Sequence, residues 1–368
     1  MRVTTGWQGL NGSLAMERVT IERRDLRADD IAVQVDFCGV CHSDLHALRR
    51  AQRAAVVPGH EFIGTVTAVG PSVGRFDVGD KVAVGTIVDS CGECAMCRRG
   101  EEVHCLAGRT ATYGSVDRHD GRLTQGAFSR EYVLSADFAY PLPDGLDPAA
   151  AAPLMCAGIT VWTPLREAGV GPGSRVAVAG LGGLGHLAVK FAAALGAEVT
   201  VLSRTADKAA DAAALGAVDL LVTADAEQML RSQGRFDLIL DTISETHDLS
   251  PLWGLLGFEG TLTMLGVFWE LPVDIMDLML GRKRLAASVT GGRDGTAQML
   301  RFASEHSIVA EIEVLPSARV AEALSRLEEG DVRYRFVLDL ADLDRVDRLT
   351  SAVESPAGQD LDAPDGAD

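Results

Sequence analysis

Four cysteines fall within fifteen residues, as Cys91-x2-Cys94-x2-Cys97-x7-Cys105. Four thiolates this close, in a loop rich in Gly and charge, can wrap one tetrahedral Zn²⁺ with no open position. Such a closed site holds structure and does no chemistry at its metal. A second set of ligand types is dispersed: Cys38-Gly-Val-Cys41-His-Ser-Asp44, then Pro58-Gly-His60-Glu61, and much later Leu154-Met-Cys156. A catalytic zinc needs three protein ligands and one position for water or substrate, and two cysteines with one histidine meet that need. Each fragment alone says little, because a single buried cysteine is ordinarily a small inert hydrophobe. Cys38 reads as such a spare, since Cys41 has the better polar neighbours.

The third pattern is Gly180-Leu181-Gly182-Gly183-Leu184-Gly185, which follows the apolar run Arg175 to Ala179 and opens a helical stretch. A pyrophosphate site needs this context: a tight turn, close backbone approach, and a helix N-terminus presenting amides to the anion. The end of the next strand selects the dinucleotide. NAD sites usually carry Asp or Glu there, about twenty residues on, to accept from the ribose 2′-hydroxyl. This chain has Ser203, then Arg204, and Lys208 one turn later. Two cations without a carboxylate favour a 2′-phosphate, so NADP(H) is the expected cofactor.

Two kinds of scaffold must position these groups. The first part of the chain alternates in period two over Ile31 to Phe37, Gly64 to Gly70 and Asp80 to Gly85, and reads as short strands separated by Gly, Pro and Asp turns. The pattern changes near Ala149. Apolar strands over Arg175 to Ala179, Glu198 to Leu202, Phe236 to Asp241 and Gly260 to Gly266 then alternate with helical stretches over Leu184 to Leu195 and Asp207 to Leu215. Such alternation predicts a doubly wound parallel sheet covered on both faces. Helices over Thr296 to Glu305 and Ala318 to Glu329 precede a last strand, Tyr334 to Asp339. Residues 342–368 hold eight acids against Arg345 and Arg348, two prolines and few large apolar side chains, and are expected to form a disordered acidic tail.

The chain of 368 residues has a net charge of −18, from 34 Lys and Arg against 52 Asp and Glu. That balance repels phosphate backbones and anionic lipid, so neither nucleic acid nor a membrane is an expected partner. Hydrophobic residues at 47% and charged ones at 23% fit a folded soluble protein. At roughly 150 residues per domain, the length gives two domains. Met1 to Met16 lacks the basic start and apolar run of an export signal, and the uncharged stretch Pro148 to Leu165 reads as buried core. Six of the seven cysteines sit in the clusters above, which points to metal rather than disulfides and to the cytoplasm.

Together these pieces resemble the zinc-dependent medium-chain dehydrogenase/reductase superfamily, and within it the cinnamyl alcohol dehydrogenase family and its bacterial relatives. The likeness runs from Gly6-Trp7 to about Leu340. It is carried by Gly39 to His46, Val57 to Glu61, the four-cysteine loop, Cys156-Ala-Gly-Ile-Thr160, Gly180 to His186, and Gly330 to Phe336. It implies an α/β protein with a GroES-like β-rich catalytic domain over residues 1–153 and 293–341. A Rossmann NADP-binding domain, with its doubly wound parallel sheet, would then span residues 154–292. By the same resemblance Cys41, His60 and Cys156 hold a catalytic zinc, and Cys91, Cys94, Cys97 and Cys105 a structural one. Glu61 is the neighbour that can approach the metal, and Asp44 orients the site. Ser43 passes a proton to or from the reacting oxygen, and His46 links it to solvent. Thr160 joins Gly180, Gly182, Gly183, Leu184, Gly185, Ser203, Arg204 and Lys208 around the dinucleotide. A homodimer through the nucleotide domains is also implied.

Three positions depart from the family pattern. Ala47 to Val57 is a short loop without its usual Trp, Ala111 stands where plant members keep a Trp, and Gly295 replaces a Glu. The first two touch the substrate pocket. The expected reaction is reversible aldehyde to primary alcohol conversion with NADPH and two zinc ions per chain. A pathway-dedicated reductase of a C=N or conjugated C=C bond is the alternative, which the altered pocket favours and the intact Ser43 and His46 weaken. A polyol dehydrogenase ranks lower, because such enzymes often use a carboxylate where Cys156 stands. A non-catalytic zinc scaffold would have no need of a proton relay beside a dinucleotide loop.

Overall fold

A computed structural model describes residues 1–9, 12–50, 55–267, 270–271 and 273–344. Part of the short loop (51–54) and most of the acidic tail (345–368) lie outside the described residues.

The alternating N-terminal segments build an antiparallel sheet around one long strand, Asp30–Val40. Phe62–Val69, Glu131–Ser135 and Arg335–Asp339 all pair with it antiparallel. Lys81–Val84 and Ala139–Pro141 extend one side, and Ile312–Pro316 adds in parallel to Arg335–Asp339 on the other. This central strand is almost wholly buried, and it ends one residue before Cys41. A candidate ligand is thus delivered by the best-anchored strand of its sheet.

The second sheet is entirely parallel, in the order Asp219–Val222, Glu198–Ser203, Arg175–Ala179, Phe236–Asp241, Leu256–Met264, Arg284–Ala287. Helices cover both faces, so its inner strands carry continuous apolar runs rather than alternation. Strand order reverses on either side of Arg175–Ala179, and a crevice opens beyond the carboxyl ends of strands at such a switch point. The Gly-rich turn begins there. This is the GroES-like plus Rossmann α/β architecture that the resemblance implied.

The chain crosses between the sheets twice, outward through the helices Pro148–Ala151 and Ala157–Glu167 and back through the helix Arg293–Glu305. The outward crossing is the uncharged stretch expected as core: Ala149, Leu154, Trp162 and Leu165 are buried, and a 55° bend separates Pro148–Met155 from Ala157–Glu167. Among the described residues no single helix is long and apolar enough to cross a membrane.

Local expectations shift at several ends. The helix expected from Thr296 starts at Arg293, and the one expected over Asp207 to Leu215 is a 3₁₀ turn, Ala206–Lys208, followed by Ala209–Ala214. Asp342 to Asp344, placed in the tail by their charge, instead dock on the fold. The Asp342 carboxylate accepts from Ser317 Oγ at 2.5 Å and Ala318 N–H at 2.9 Å, Leu343 is buried, and Asp344 pairs with Arg130 at 2.6 Å. Acids score as solvated by composition, but here each has a specific partner across the fold.

An N-terminal hairpin, Arg2–Gly9 with Met16–Arg23, is stapled to this sheet by a buried arginine. Arg23 donates Nε–H to Glu131 O at 3.0 Å, Nη1–H to Gln125 O at 2.5 Å, and Nη2–H to Gly126 O at 2.8 Å and Ser129 Oγ at 2.7 Å. Burial pushes its pKa down to about 10, which still leaves it charged at neutral pH. The segment it holds backs the candidate ligand His60: Ala127 and Phe128 N–H donate to Gly59 O and Pro58 O, both at 2.9 Å. A lysine cannot reproduce this planar fork, so several buried carbonyls lose their donor in Arg23→Lys. That substitution is expected to lower unfolding free energy by roughly 2–4 kcal/mol in chemical denaturation. A loss below about 0.5 kcal/mol, the scale of an ordinary surface change, would mean the segment is held without it.

Candidate active site

Asp44 is fully buried in the first turn of the helix His42–Arg50. Its Oδ2 accepts the Cys41 N–H at 2.9 Å; its Oδ1 accepts the Gly59 N–H at 3.0 Å and faces His60 Nδ1 at 3.1 Å. One carboxylate therefore fixes two segments distant in sequence. With Nδ1 donating to Asp44, the His60 Nε2 lone pair is free to point inward, where it lies 3.3 Å from Cys156 Sγ. Cys156 arrives from the outward crossing, as the N-cap residue of the helix Ala157–Glu167. Its Sγ is 3.8 Å from Cys41 Sγ.

These spacings fit a metal. Tetrahedral zinc with Zn–S of about 2.3 Å and Zn–N of about 2.0 Å holds its ligands roughly 3.8 Å (S to S) and 3.5 Å (S to N) apart. The ligand atoms of Cys41, His60 and Cys156 lie within 4.8 Å of one another. The electrostatics agree. The neighbouring Cys156 thiol holds the Cys41 pKa well below the usual range, and Cys156 is pushed up in turn. Two buried sulfurs cannot both ionise unaided, but beside a dication they can. Burial opposes a charged His60 ring, yet Asp44 and Cys41 outweigh it and raise its pKa.

Glu61 is also fully buried, and burial pushes its pKa up to about 7 against the pull of Arg335. The Arg335 guanidinium donates to Glu61 Oε1, while Oε2 is buried without a hydrogen-bond partner. That orphaned oxygen, next to the ligand cluster in sequence, matches a carboxylate able to approach a cation. Tyr113 closes another side, its ring 5.7 Å from that of His60.

The four clustered cysteines also converge, with Sγ separations of 3.8 Å (Cys91 to Cys97) and 3.5 Å (Cys94 to Cys97). Backbone N–H groups of Cys97 and Leu106 donate to Cys94 Sγ at 3.5 and 3.4 Å and hold its pKa down to about 6. Amides aimed at sulfur stabilise thiolate, the form a metal binds.

At the Gly-rich turn, a Cβ on Gly185 would stand 2.0 Å from Gly180 O, whereas one on Gly182 would meet nothing within 4 Å. The turn is therefore tight at its base and open at its tip. The helix Gly185–Ala194 has no side-chain cap, which leaves its N-terminus to an anion, apart from the His186 backbone N–H that donates to Gly182 O at 3.0 Å. Lys208 Nζ donates to Leu181 O at 3.1 Å, Ser203 is half-buried and Arg204 exposed. Thr160 is buried one turn beyond Cys156.

Ser43 and His46 sit one turn apart on the helix His42–Arg50, exposed and half-buried respectively. Ala111 is half-buried in the short strand Thr110–Ala111. Sequence reasoning assigned no role to Arg335 or Tyr113. The Gly330 to Phe336 run contains Arg335, but nothing local says that its guanidinium crosses to Glu61 or that its Cδ lies 2.9 Å from where a Gly183 Cβ would be. His186 likewise has no role in the sequence beyond its place in the Gly180 to His186 run. It is buried, its Nδ1–H donates to Gly182 O at 3.0 Å, and its Nε2 accepts the Glu311 N–H at 3.3 Å.

Burial holds the His186 pKa down to about 3, against about 6.5 in an unfolded chain. The unfolded state therefore binds the proton first. The stabilisation is complete above pH 6.5 and is lost as pH falls through 6.5 toward 3. Between pH 7 and 5 the protein is expected to lose roughly 2 kcal/mol more stability than its His186→Asn variant. Parallel unfolding measurements at several pH values check this, and equal slopes would contradict it.

Residues 27–144 match the alcohol dehydrogenase GroES-like domain family and residues 183–305 the zinc-binding dehydrogenase family. The chain is 45% identical over 331 residues to a "Probable formaldehyde dehydrogenase" of Bacillus subtilis, covering 89% of this chain and 95% of that protein. It is 42% identical over 347 residues to "NADP-dependent alcohol dehydrogenase C" of Mycobacterium tuberculosis, covering 93% and 100%. Among solved structures it resembles a cinnamyl alcohol dehydrogenase of Sorghum bicolor, with a TM-score of 0.89, 40% identity and 92% and 98% of the two chains covered. It also resembles one from Helicobacter pylori complexed with NADP(H), with a TM-score of 0.86, 30% identity and coverage of 92% and 98%. Likeness of this extent, over both sheets and both crossings, makes the chain a member of the zinc-dependent medium-chain dehydrogenases/reductases, in the group that includes the cinnamyl alcohol dehydrogenases.

Proposed function

We propose that this protein is an NADP(H)-dependent zinc alcohol dehydrogenase that interconverts aldehydes and primary alcohols. The observation that carries the proposal is the convergence of three ligand atoms, from Cys41, His60 and Cys156, within 4.8 Å. Relatives named NADP-dependent alcohol dehydrogenase and cinnamyl alcohol dehydrogenase support it. Cys41, His60 and Cys156 hold the catalytic zinc, and Cys91, Cys94, Cys97 and Cys105 the structural one. When bound, zinc supplies Lewis acidity to the substrate oxygen, and the reduced nicotinamide supplies the hydride.

The chain's own residues do the rest. Asp44 fixes the His60 tautomer, and Arg335 balances the Glu61 carboxylate beside the ligands. Ser43 Oγ holds the proton that the substrate oxygen gains or loses, and the His46 ring exchanges it with solvent. The N-terminal amides after Gly182 would receive the pyrophosphate; Ser203, Arg204 and Lys208 would receive the 2′-phosphate, and Thr160 would join them around the dinucleotide. The catalytic unit comprises residues 1–153 and 293–341, and the nucleotide unit residues 154–292.

The working form is a cytoplasmic homodimer joined through the nucleotide units. Seven free cysteines, six of them in ligand clusters, support a reducing compartment. Ile275, Met276, Met279 and Leu280 stand exposed on one short helix and its end, next to the sheet's edge strand Arg284–Ala287. An apolar patch of this kind on a nucleotide unit fits burial against a second copy.

An aldehyde panel assayed with NADPH and NADH, with imine and enone arms, tests the reaction class. Aldehyde turnover is expected with NADPH, and it should fall at least about a thousandfold in His60→Ala while the NADPH dissociation constant moves less than threefold. Full turnover in that variant, or reduction of only C=N or C=C substrates, would overturn the proposal. Ser203→Asp places a carboxylate against the 2′-phosphate and is expected to weaken NADPH binding about tenfold or more with NADH unaffected. An unchanged NADPH to NADH ratio would count against the assignment of that strand end.

A further inference from the structure

The four-cysteine lobe carries no open metal position, yet it is tied to the return crossing by a single buried carboxylate. Glu102 lies between Cys97 and Cys105 and is 1% exposed. Its Oε2 accepts the Arg293 backbone N–H at 2.8 Å, and its Oε1 accepts Arg293 Nε–H at 2.8 Å. Arg293 opens the helix Arg293–Glu305, whose N-cap residue Gly292 has no side chain to offer. Glu102 therefore caps, from another part of the chain, a helix that cannot cap itself. Contact here leaves no slack: a Cβ on Gly292 would stand 1.7 Å from Gly100 O. Arg293 is further held by Asp137 at 3.0 Å, with its guanidinium 5.5 Å from the Phe138 ring.

That helix leans on the outward crossing. Met299 Sδ would lie 3.4 Å from a Cβ on Gly158, and Ile159 Cδ1 2.8 Å from one on Gly291. The outward helix starts at its N-cap, Cys156. Lobe, Glu102, return helix, outward helix and Cys156 thus form one packed chain of contacts, and the two helices are the two covalent links between the sheets.

We propose that Glu102 is a positioning residue through which the structural zinc lobe sets the placement of the two crossings, and through them of Cys156. This rests on the function proposed above. The lobe's metal then matters to turnover without touching substrate, because it fixes the carboxylate that caps the return helix.

The test uses the zinc-loaded protein with NADPH bound. In Glu102→Ala, amides 293–297 are expected to exchange hydrogen roughly tenfold faster, as for a lost helix cap. kcat should fall about tenfold while the NADPH KM stays within twofold and zinc content equals that of wild type. Glu102→Gln keeps one capping oxygen but loses the second acceptor and the charge, so its kcat should lie between those of Glu102→Ala and wild type; this variant also carries the test if the alanine form does not fold. Combining Cys94→Ser with Glu102→Ala should lower kcat no further than the worse single variant, since both cut one route. Wild-type kcat and exchange in Glu102→Ala would overturn the proposal, as would a kcat loss that tracks zinc loss and is restored by added zinc. If the wild-type protein turned over no aldehyde, the functional assignment would fail, and exchange at 293–297 would still decide whether the clamp exists.

Discussion

The site depends on one buried carboxylate. Asp44 accepts from the amides of Cys41 and Gly59 and from the His60 ring, which converts three local conformations into a single geometry. A charge this deeply buried is tolerable only with such a full set of donors. The same requirement makes the arrangement rigid, because any displacement of either ligand segment would strand an ionised group away from water. The candidate ligand cluster is preorganised by hydrogen bonding to its outer partners.

Around that carboxylate the fold brings together parts that arrive separately. Cys41 comes from the end of the central antiparallel strand, His60 from the segment that Arg23 and residues 125–129 hold, and Cys156 from the crossing into the parallel sheet. Arg335, on a strand formed after the chain has returned, spans from Glu61 to the Gly-rich turn. The three candidate ligands therefore converge beside the outward crossing, and the crossings Ala157–Glu167 and Arg293–Glu305 pack against each other.

Much of this was legible residue by residue. Spacing identified the four-cysteine lobe, because four thiolates in fifteen residues can meet with little help from the rest of the chain. The Gly-rich turn was legible because its strand and helix neighbours are contiguous with it. The ends of elements were less so: the helix beginning at Arg293 takes its cap from Glu102, nearly two hundred residues away, and no window around Gly292 contains that information. The docking of Asp342 and Asp344 escapes the local sequence for the same reason, since their partners Ser317, Ala318 and Arg130 are remote.

The sequence by itself determined what short-range geometry dictates: thiols spaced for one zinc, a Gly-rich turn between strand and helix, a strand end with cations and no carboxylate, and an α/β alternation. Tertiary structure alone decided which dispersed groups meet. That Cys156 faces Cys41 at 3.8 Å, that Glu61 is balanced by Arg335, and that the buried His186 ring accepts the Glu311 N–H are consequences of burial and long-range pairing. Burial changes a side chain's charge and hydrogen-bond needs only once the whole chain has closed around it, and no local pattern of residues records that closure.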